Sequence, residues 1–356
     1  MHARSRPRPL PALIAIALAG ALGLAGCSSA SPVSNAQASG AHPAATAPDP
    51  YAGVTVHADL PYAMADGAPL LLDLCVPRAA TSSTTGPHAA VAPRPAIVEV
   101  HGGSWALGDK SGWRSLCEFM ASRGFVTASI DYRLAPQHPF PAALDDLRSA
   151  VEWLRDPAQV SRFAIDPTRI GAFGGSAGGN LVSLLGTSGS GRLDAGSRVA
   201  AVAELSAPID LTSRGRELPT FVPFVKRYLH CARLICPAAR AASPQYQIDP
   251  TDPPFFVAHS TAERIPLSQA TNFVAALRAS AVPVSFVTVP GSRHATALLS
   301  PALLRQIVDF FRSNLATSAA GKVIAGGTAA TSSARDGAAG DGTPTPPAGS
   351  TGIPSP

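Results

Sequence analysis

The sequence predicts an α/β fold, in which a mostly parallel sheet carries helices on both faces. Between residues 96 and 314, short apolar runs rich in β-branched residues alternate with longer segments of helical apolar spacing. Runs that are apolar throughout indicate strands buried on both faces, and the alternation indicates crossovers between parallel strands. The chain is 46% hydrophobic and 14% charged, against roughly 25% charged in an average soluble domain. It can therefore bury the core that such a sheet needs.

Each element follows from its local pattern. Residues 54–56 and 70–76 flank Ala65-Asp66-Gly67 and predict an antiparallel hairpin at the sheet edge. Prolines interrupt residues 211–250, which are predicted to form a small cap over the carboxyl ends of the strands, where open α/β sheets bind ligands. The other predicted strands are 96–100, 125–130, 169–173, 199–205, 255–259 and 284–289, and the predicted helices are 113–123, 141–155, 177–186, 266–279 and 301–314.

Residues 1–26 are predicted to be an export signal. Three arginines between residues 4 and 8 precede an uncharged apolar run that ends in small residues. The stretch Leu24-Ala25-Gly26-Cys27 resembles the lipobox of bacterial lipoproteins, which implies cleavage before Cys27, lipidation of its sulfur and a membrane anchor. We therefore expect an exported protein that is lipid-anchored to the cell membrane. The alternative is a permanent anchor helix, although the run of 17 residues is shorter than the roughly 20 that span a bilayer.

The two ends of the chain have the composition of unstructured segments. Residues 27–50 and 316–356 are rich in small residues and proline and lack the period of a helix or strand. We expect a disordered tether and a disordered tail around one folded domain at 51–315. Without the three N-terminal arginines, the formal charge of +5 falls to +2, which is 25 Lys and Arg against 23 Asp and Glu. That balance leaves no basic stripe for a nucleic-acid partner.

Four cysteines lie within the predicted domain. Cys231 and Cys236 are close enough in sequence to close a local loop, and Cys75 and Cys117 would then form a second disulfide, as an exported chain allows. Buried free thiols are the alternative for Cys75 and Cys117, which lie in apolar stretches. The sequence has no Cys-x-x-Cys spacing and no Cys/His cluster, so no metal site is expected.

The first candidate catalytic motif is Gly174-Gly175-Ser176-Ala177-Gly178, which lies between a predicted strand and a predicted helix. This context is typical of a nucleophile elbow, in which glycines permit a sharp turn and the serine Oγ is held exposed. Ser176 is therefore the predicted nucleophile. A glycine-rich helix cap is the alternative interpretation.

A second glycine motif, His101-Gly102-Gly103-Ser104-Trp105, directly follows the predicted strand at 96–100. Acyl transfer places negative charge on a carbonyl oxygen, which fixed backbone N–H groups stabilise. Glycine lets the main chain approach a substrate closely. We predict an oxyanion hole formed by the N–H groups of Gly102, Gly103 and Ala177.

A serine nucleophile needs a base, and the base needs an acid that orients it. In a fold of this kind the nucleophile, the acid and the base follow one another along the chain in that order. His294 is the last of nine histidines and follows the last strand, whereas His259 ends a strand and is expected to shape a turn. Glu263 is the only carboxylate between the strand at 255–259 and His294. We predict His294 as the base and Glu263 as the acid, with Asp210 as the alternative acid.

These motifs together resemble the hormone-sensitive-lipase-like esterases and carboxylesterases of the α/β-hydrolase fold, over residues 54–315. Residues 101–105 are similar to their His-Gly-Gly-Gly-Trp loop, with Ser104 in place of the third glycine. Residues 132–142 are close to their Tyr-Arg-Leu-Ala-Pro-Glu-His-Pro-Phe-Pro-Ala stretch. The family turn His-Gly-Thr-Ala-Asp is here His-Ser-Thr-Ala-Glu, ending at Glu263. A glutamate serves in the related cholinesterase-like enzymes.

The residues and the resemblance imply a serine carboxylester hydrolase that acts through an acyl-enzyme on short- to medium-chain or lipid-derived esters. No metal or organic cofactor is expected. Trp105, Phe221 and Phe224 are the predicted substrate-binding residues. The alternatives are a lipase, a serine peptidase or amidase of the same fold, and a non-catalytic hydrolase-fold binding protein. The oligomeric state stays open.

Overall fold

The computed structural model describes residues 51–78, 92–212 and 221–317, which form one eight-stranded sheet covered by helices. The predicted α/β fold is confirmed. The strands are β1 Val54–Ala65, β2 Ala68–Pro77, β3 Arg94–Val100, β4 Val126–Ile130, β5 Ile165–Gly175, β6 Ala201–Leu205, β7 Phe255–Ser260 and β8 Val284–Val289. The helices are α1 Arg114–Ser122, α2 Ala142–Arg155, α3 Pro157–Phe163, α4 Ala177–Thr187, α5 Val222–Leu229, α6 Pro237–Ala241, α7 Leu267–Ala279 and α8 Pro301–Asn314.

The strand order is β1-β2-β4-β3-β5-β6-β7-β8. The six strands β3 to β8 pair in parallel. Strand β2 of the antiparallel β1–β2 hairpin is antiparallel to its other neighbour, β4. Alternate residues of the central strands enter two separate apolar clusters, one on each face, as Val98 and Ile97 of β3 do. The loops that follow the parallel strands therefore meet at one edge, which is where an open α/β sheet places its site.

Two local features extend beyond the prediction. The hairpin strands are longer than expected and meet at Asp66 and Gly67, both at positive φ, with Ala65 paired to Ala68 across the turn. Helix α3 was not predicted. The Asp156 carboxylate accepts the Ala158 N–H at 2.9 Å, and Pro157 takes the first helical position.

The segment between β6 and β7 contains α5, α6 and a 3-10 turn at Pro244–Tyr246. The Tyr228 carbonyl accepts the Phe140 N–H at 2.8 Å, and the Ala242 carbonyl accepts the side-chain amide of Asn180 at 3.2 Å. These contacts fasten the segment to the loop after β4 and to α4. The predicted cap boundaries, 211–250, remain a prediction, and residues 213–220 lie outside the described part.

Several predictions for the chain ends also concern residues outside the described part. They are the export signal at 1–26, the tether at 27–50 with Cys27, and almost all of the tail at 316–356. Within the described residues, no helix combines the length and the apolar composition that crossing a bilayer requires.

Both of the cysteine pairings considered from the sequence are present as disulfides. Cys75 and Cys117 join β2 to α1 with a Cα separation of 5.8 Å, and Cys231 and Cys236 close a loop after α5 with a separation of 6.4 Å. The first pair is fully buried. It links residues 42 apart in sequence, whereas the second links residues only 5 apart.

Loop length predicts that the two disulfides differ in their contribution to stability. Loop closure in the unfolded chain is worth about 4 kcal/mol for a loop like Cys75–Cys117 and about 2 kcal/mol for one like Cys231–Cys236. We expect the double variant Cys75→Ala/Cys117→Ala to lose more free energy of unfolding than Cys231→Ala/Cys236→Ala, measured by denaturant titration under oxidising conditions. An equal or reversed order would contradict the loop-closure account.

Candidate active site

Ser176 occupies the tight turn between β5 and α4. Its φ of 56° and ψ of −124° are strained for a residue with a side chain, and its N–H donates to the Leu205 carbonyl at 2.8 Å. The neighbouring glycines are required by space, because a Cβ at Gly174 would overlap the Gly178 carbonyl and a Cβ at Gly178 would overlap that of Val100. The geometry is that of the predicted nucleophile elbow.

The glycine loop after β3 lies against this turn. A Cβ on Gly102 would stand 3.0 Å from the Gly175 carbonyl oxygen and 3.1 Å from the Ser176 Cβ. Gly103 has a φ of 122°, and a side chain there would overlap the Leu107 carbonyl. Gly102 and Gly103 line the same cavity as Ser176, while Ala177 opens α4, where N–H groups have no partner within the helix. The structure thus brings the three predicted oxyanion donors around the serine.

His294 and Glu263 are in direct contact through Nδ1 and Oε2. The Glu263 side chain is fully buried, and its Oε1 accepts the Ser206 hydroxyl at 2.6 Å and the Ser260 N–H at 3.3 Å. Burial alone would raise the pKa of Glu263, but the hydrogen bonds from His294 and Ser206 and the nearby imidazoles outweigh it and hold the pKa below its ordinary value. Glu263 is therefore an ionised acceptor at neutral pH.

The second nitrogen of His294 is not engaged by the described part of the protein. Its Nε2 is buried and has no hydrogen-bond partner among the described residues, and His294 lines the cavity that Ser176 also lines. A Glu263 carboxylate at Nδ1 fixes the proton there, which leaves the Nε2 lone pair free to accept one. An unoccupied lone pair at the cavity of Ser176 is one of the features that a general base needs.

The alternative acid, Asp210, is engaged elsewhere. Its carboxylate accepts the N–H and hydroxyl of Thr212 and the Tyr246 hydroxyl, the last at 3.1 Å. His259 is fully buried behind Glu263, with Nε2 2.8 Å from the Ile265 carbonyl and 3.4 Å from Glu263 Oε1. The sequence predicts only that His259 shapes a turn, whereas the structure also places it in contact with the acid Glu263.

Ser206 is a site residue that the sequence analysis missed. It follows β6 directly, has a φ of 54° and is fully buried. Its hydroxyl donates to Glu263 and accepts the N–H of Ala295, the residue after His294, at 3.0 Å. One side chain therefore ties the acid to the loop that carries the base. Its position at the carboxyl end of a central strand was the available signal.

Replacing Ser206 with alanine should lower kcat by roughly 10- to 100-fold, by analogy with the loss of a hydrogen bond that orients a metal-binding histidine or carboxylate. We expect KM to change less, because Ser206 does not line the cavity. Steady-state kinetics with Ser206→Ala and Ser206→Thr test this, since threonine retains the hydroxyl. Equal losses in the two variants would mean that packing, not the hydrogen bond, is required.

Glu204 is a second buried carboxyl group near the acid Glu263. Its Oε2 accepts the Ala207 N–H at 2.9 Å, and its Oε1 has no partner among the described residues. The pKa of Glu204 is raised to about 8, mainly because the carboxyl group is buried. The hydrogen bond from the Ala207 N–H lowers this pKa, and the negative charge of Glu263 raises it further. Glu204 is thus mainly protonated at neutral pH, next to an ionised Glu263.

This raised pKa predicts a pH-dependent stability. A carboxyl with a higher pKa in the folded state contributes stability that is complete below its ordinary pKa near 4.5 and is lost as the pH rises through about 8. The variant Glu204→Gln keeps an acceptor but cannot ionise. We expect its gain in free energy of unfolding over the parent to grow between pH 5 and pH 9, measured by denaturant titration. Glu152→Gln, at an exposed position, is the control, and a gain independent of pH would contradict the assignment.

The cavity beside Ser176 has a volume of about 220 Å³. The residues predicted to bind substrate are not among those that line it. Trp105 is fully buried, with its ring stacked on Tyr228 at 4.4 Å and edge-on to Phe221 at 6.1 Å, while Phe224 is 36% exposed. Trp105 and Phe221 thus join the cap to the glycine loop. The cavity is lined by Gly102, Gly103, Ser104, Trp113, Gly175, Ser176, Arg264, His294, Ala295 and Thr296.

Comparison with known proteins agrees with this geometry. LipC, an esterase of Mycobacterium tuberculosis, is 35% identical over 225 residues, which is 59% of this chain and 55% of LipC. Neutral cholesterol ester hydrolase 1 of Rattus norvegicus is 41% identical over 96 residues, 26% of this chain and 24% of that protein. The chain spans about half the length of the first curated relatives it matches.

Solved structures share the fold. A truncated carbohydrate esterase from gut microbiota superposes with a TM-score of 0.60 at 21% identity, over 73% of this chain and 96% of that one. The esterase Est2 of Thermogutta terrifontis gives a TM-score of 0.57 at 24% identity, over 76% of this chain and 95% of that one. The α/β-hydrolase fold implied by the sequence is confirmed. The BD-FAE family profile matches residues 85–277, more than half of the chain, and the protein belongs to that family.

Proposed function

We propose that this protein is a serine carboxylester hydrolase acting on short- to medium-chain esters. The observation that carries the proposal is the convergence at one cavity of Ser176 on a strained elbow and His294 oriented by buried Glu263. The esterase names of its relatives support the same class of reaction. The small cavity favours short esters, because sites that enclose drug-sized ligands have volumes of roughly 300–1,000 Å³.

The reaction follows the serine acyl-transfer scheme. Ser176 Oγ attacks the ester carbonyl carbon while its proton passes to His294 Nε2, and the N–H groups of Gly102, Gly103 and Ala177 stabilise the oxyanion. The bond from carbon to the alcohol oxygen then breaks, and His294 returns the proton to the departing alcohol. A water molecule, deprotonated by His294, attacks the acyl-enzyme and releases the carboxylic acid and Ser176. Glu263 stays ionised and stabilises the imidazolium.

The test is a substrate series with the full chain. Hydrolysis of p-nitrophenyl esters of rising acyl length should fall beyond medium chains, and p-nitroanilides with the same acyl groups should react far more slowly. Faster hydrolysis of the anilides would favour the peptidase or amidase alternative. Preference for long chains at an emulsified surface would favour a lipase, and no turnover of either class would favour a non-catalytic binding protein.

We also propose that the protein is exported, that its mature form begins at Cys27 and that lipid on this residue anchors it to the cell membrane. The support is the lipobox-like stretch at 24–27 after a basic and an apolar segment. Mass spectrometry of the protein from its native membrane should find acyl chains on Cys27. An unmodified Cys27, or an intact residue 1, would overturn the anchor without affecting the hydrolase assignment.

A further inference from the structure

The cavity beside Ser176 contains a charged side chain that the hydrolysis mechanism does not use. Arg264 directly follows the acid Glu263 and lines the cavity together with Ser176 and His294. It is exposed, and among the described residues it has no hydrogen bond or ion pair. The partners of the Glu263 carboxylate are His294, Ser206, Ser260 and His259 instead.

No carboxylate lines this cavity among the described residues. Its other lining groups are glycine backbone, small hydroxyl or methyl side chains, the Trp113 ring and the imidazole of His294. A guanidinium is always charged, and its planar donors match the two oxygens of a carboxylate. Arg264 therefore places a fixed positive charge on the cavity wall, and it forms no ion pair with the buried carboxylate of Glu263 beside it.

The neighbouring cap adds charge of the same sign. Residues 221–250 of the cap contain Lys226, Arg227, Arg233 and Arg240 against one carboxylate, Asp249. Arg240 lies over the Tyr246 ring at 4.3 Å, while Lys226, Arg227 and Arg233 are exposed. An excess of exposed positive charge attracts anionic molecules toward the protein and raises their rate of encounter with it.

From these observations we infer that the preferred substrates are esters bearing a carboxylate, which pairs with Arg264 while the ester carbonyl lies at Ser176. This inference rests on the proposed hydrolase function and adds the substrate class to it. Arg264 and Ser176 line one cavity of about 220 Å³, so the pairing requires a small ester that carries both groups. The carboxylate belongs either to the acyl part or to the alcohol part of the ester.

Two matched pairs of esters show whether the recognised carboxylate lies on the acyl part or on the alcohol part. The half-ester 4-nitrophenyl adipate and neutral 4-nitrophenyl hexanoate differ by a carboxylate on the acyl part. 4-Acetoxybenzoate and its neutral methyl ester differ by a carboxylate on the alcohol part. In Arg264→Gln we expect the anionic-to-neutral ratio of kcat/KM to fall about tenfold for one pair, as loss of a charge-assisted bidentate contact implies. The anionic-to-neutral ratio should fall less in Arg264→Lys, which keeps the positive charge. In the parent, this ratio should fall as the salt concentration rises.

Arg293→Gln is the control, because Arg293 is also exposed and cationic, precedes His294 and does not line the cavity. Its ratio should stay within about twofold of the parent. Unchanged ratios for both pairs in Arg264→Gln would overturn the pairing while leaving the hydrolase intact, and equal falls in Arg264→Gln and Arg293→Gln would mean a general field rather than a contact. A parent that hydrolyses none of the four esters would overturn the proposed function itself.

Discussion

Replacing Ser176 with alanine should abolish ester hydrolysis, with a loss of at least about 10⁴-fold in kcat. Removal of the nucleophile from a serine hydrolase costs on the order of 10⁶-fold, and what remains comes from the oxyanion hole and from binding. Ser176 is held at a φ of 56° by the glycines around it, and alanine has the same Cβ. The variant should therefore fold as the parent does, with an unchanged melting temperature.

The measurement combines initial rates on p-nitrophenyl acetate with labelling by a fluorophosphonate, which reacts with an activated serine. The parent should be labelled on Ser176 and lose activity in proportion, while Ser176→Ala should not be labelled. Ser292→Ala is the matched control, at an exposed serine on the loop before His294 that does not line the cavity. More than a tenth of parental activity in Ser176→Ala would show that another group attacks the ester.

Much of the fold could be predicted because its signals are local. Strands β4, β6 and β7 are short, mostly apolar and buried on both faces, so they stand out from the helical segments between them. The exact ends could not be predicted in the same way. Strand β5 runs from Ile165 to Gly175, beyond the apolar run at 169–173, because pairing with β3 and β6 extends it through polar and glycine residues.

The same distinction separates the site residues that the sequence predicts from those it does not. Ser176, the glycine loop and His294 belong to motifs with a fixed context, and Glu263 was found by its place between β7 and His294. Ser206 and Glu204 belong to no motif. Ser206 contacts Glu263, 57 residues away in sequence, and Ala295, 89 residues away. Only the folded sheet brings such distant residues together. Trp105 shows the reverse, since a motif residue predicted to bind substrate is buried against the cap.

Replacing Glu263 with glutamine should lower kcat by about 10³- to 10⁴-fold, the scale known for the equivalent change in another serine hydrolase. The carboxylate accepts from His294, from the Ser206 hydroxyl and from the Ser260 N–H. A glutamine has one acceptor oxygen and carries no charge, so His294 is no longer held in the productive tautomer and the imidazolium formed during attack is not stabilised. The rate of acyl-enzyme formation, measured by stopped flow, should fall with kcat.

Glu263→Asp separates charge from reach, since it keeps the carboxylate on a side chain shorter by one methylene. We expect it to retain more activity than Glu263→Gln, and its partial activity would explain how the aspartate of related turns serves the same purpose.

The parent also gains stability from Glu263 above its ordinary pKa near 4.5, and this gain is lost as the pH falls through the lowered pKa of the folded state. Glu263→Gln should therefore lose stability at pH 7 and differ less from the parent at pH 3. Activity within tenfold of the parent in Glu263→Gln would mean that His294 is oriented by its loop and by Ser206 alone.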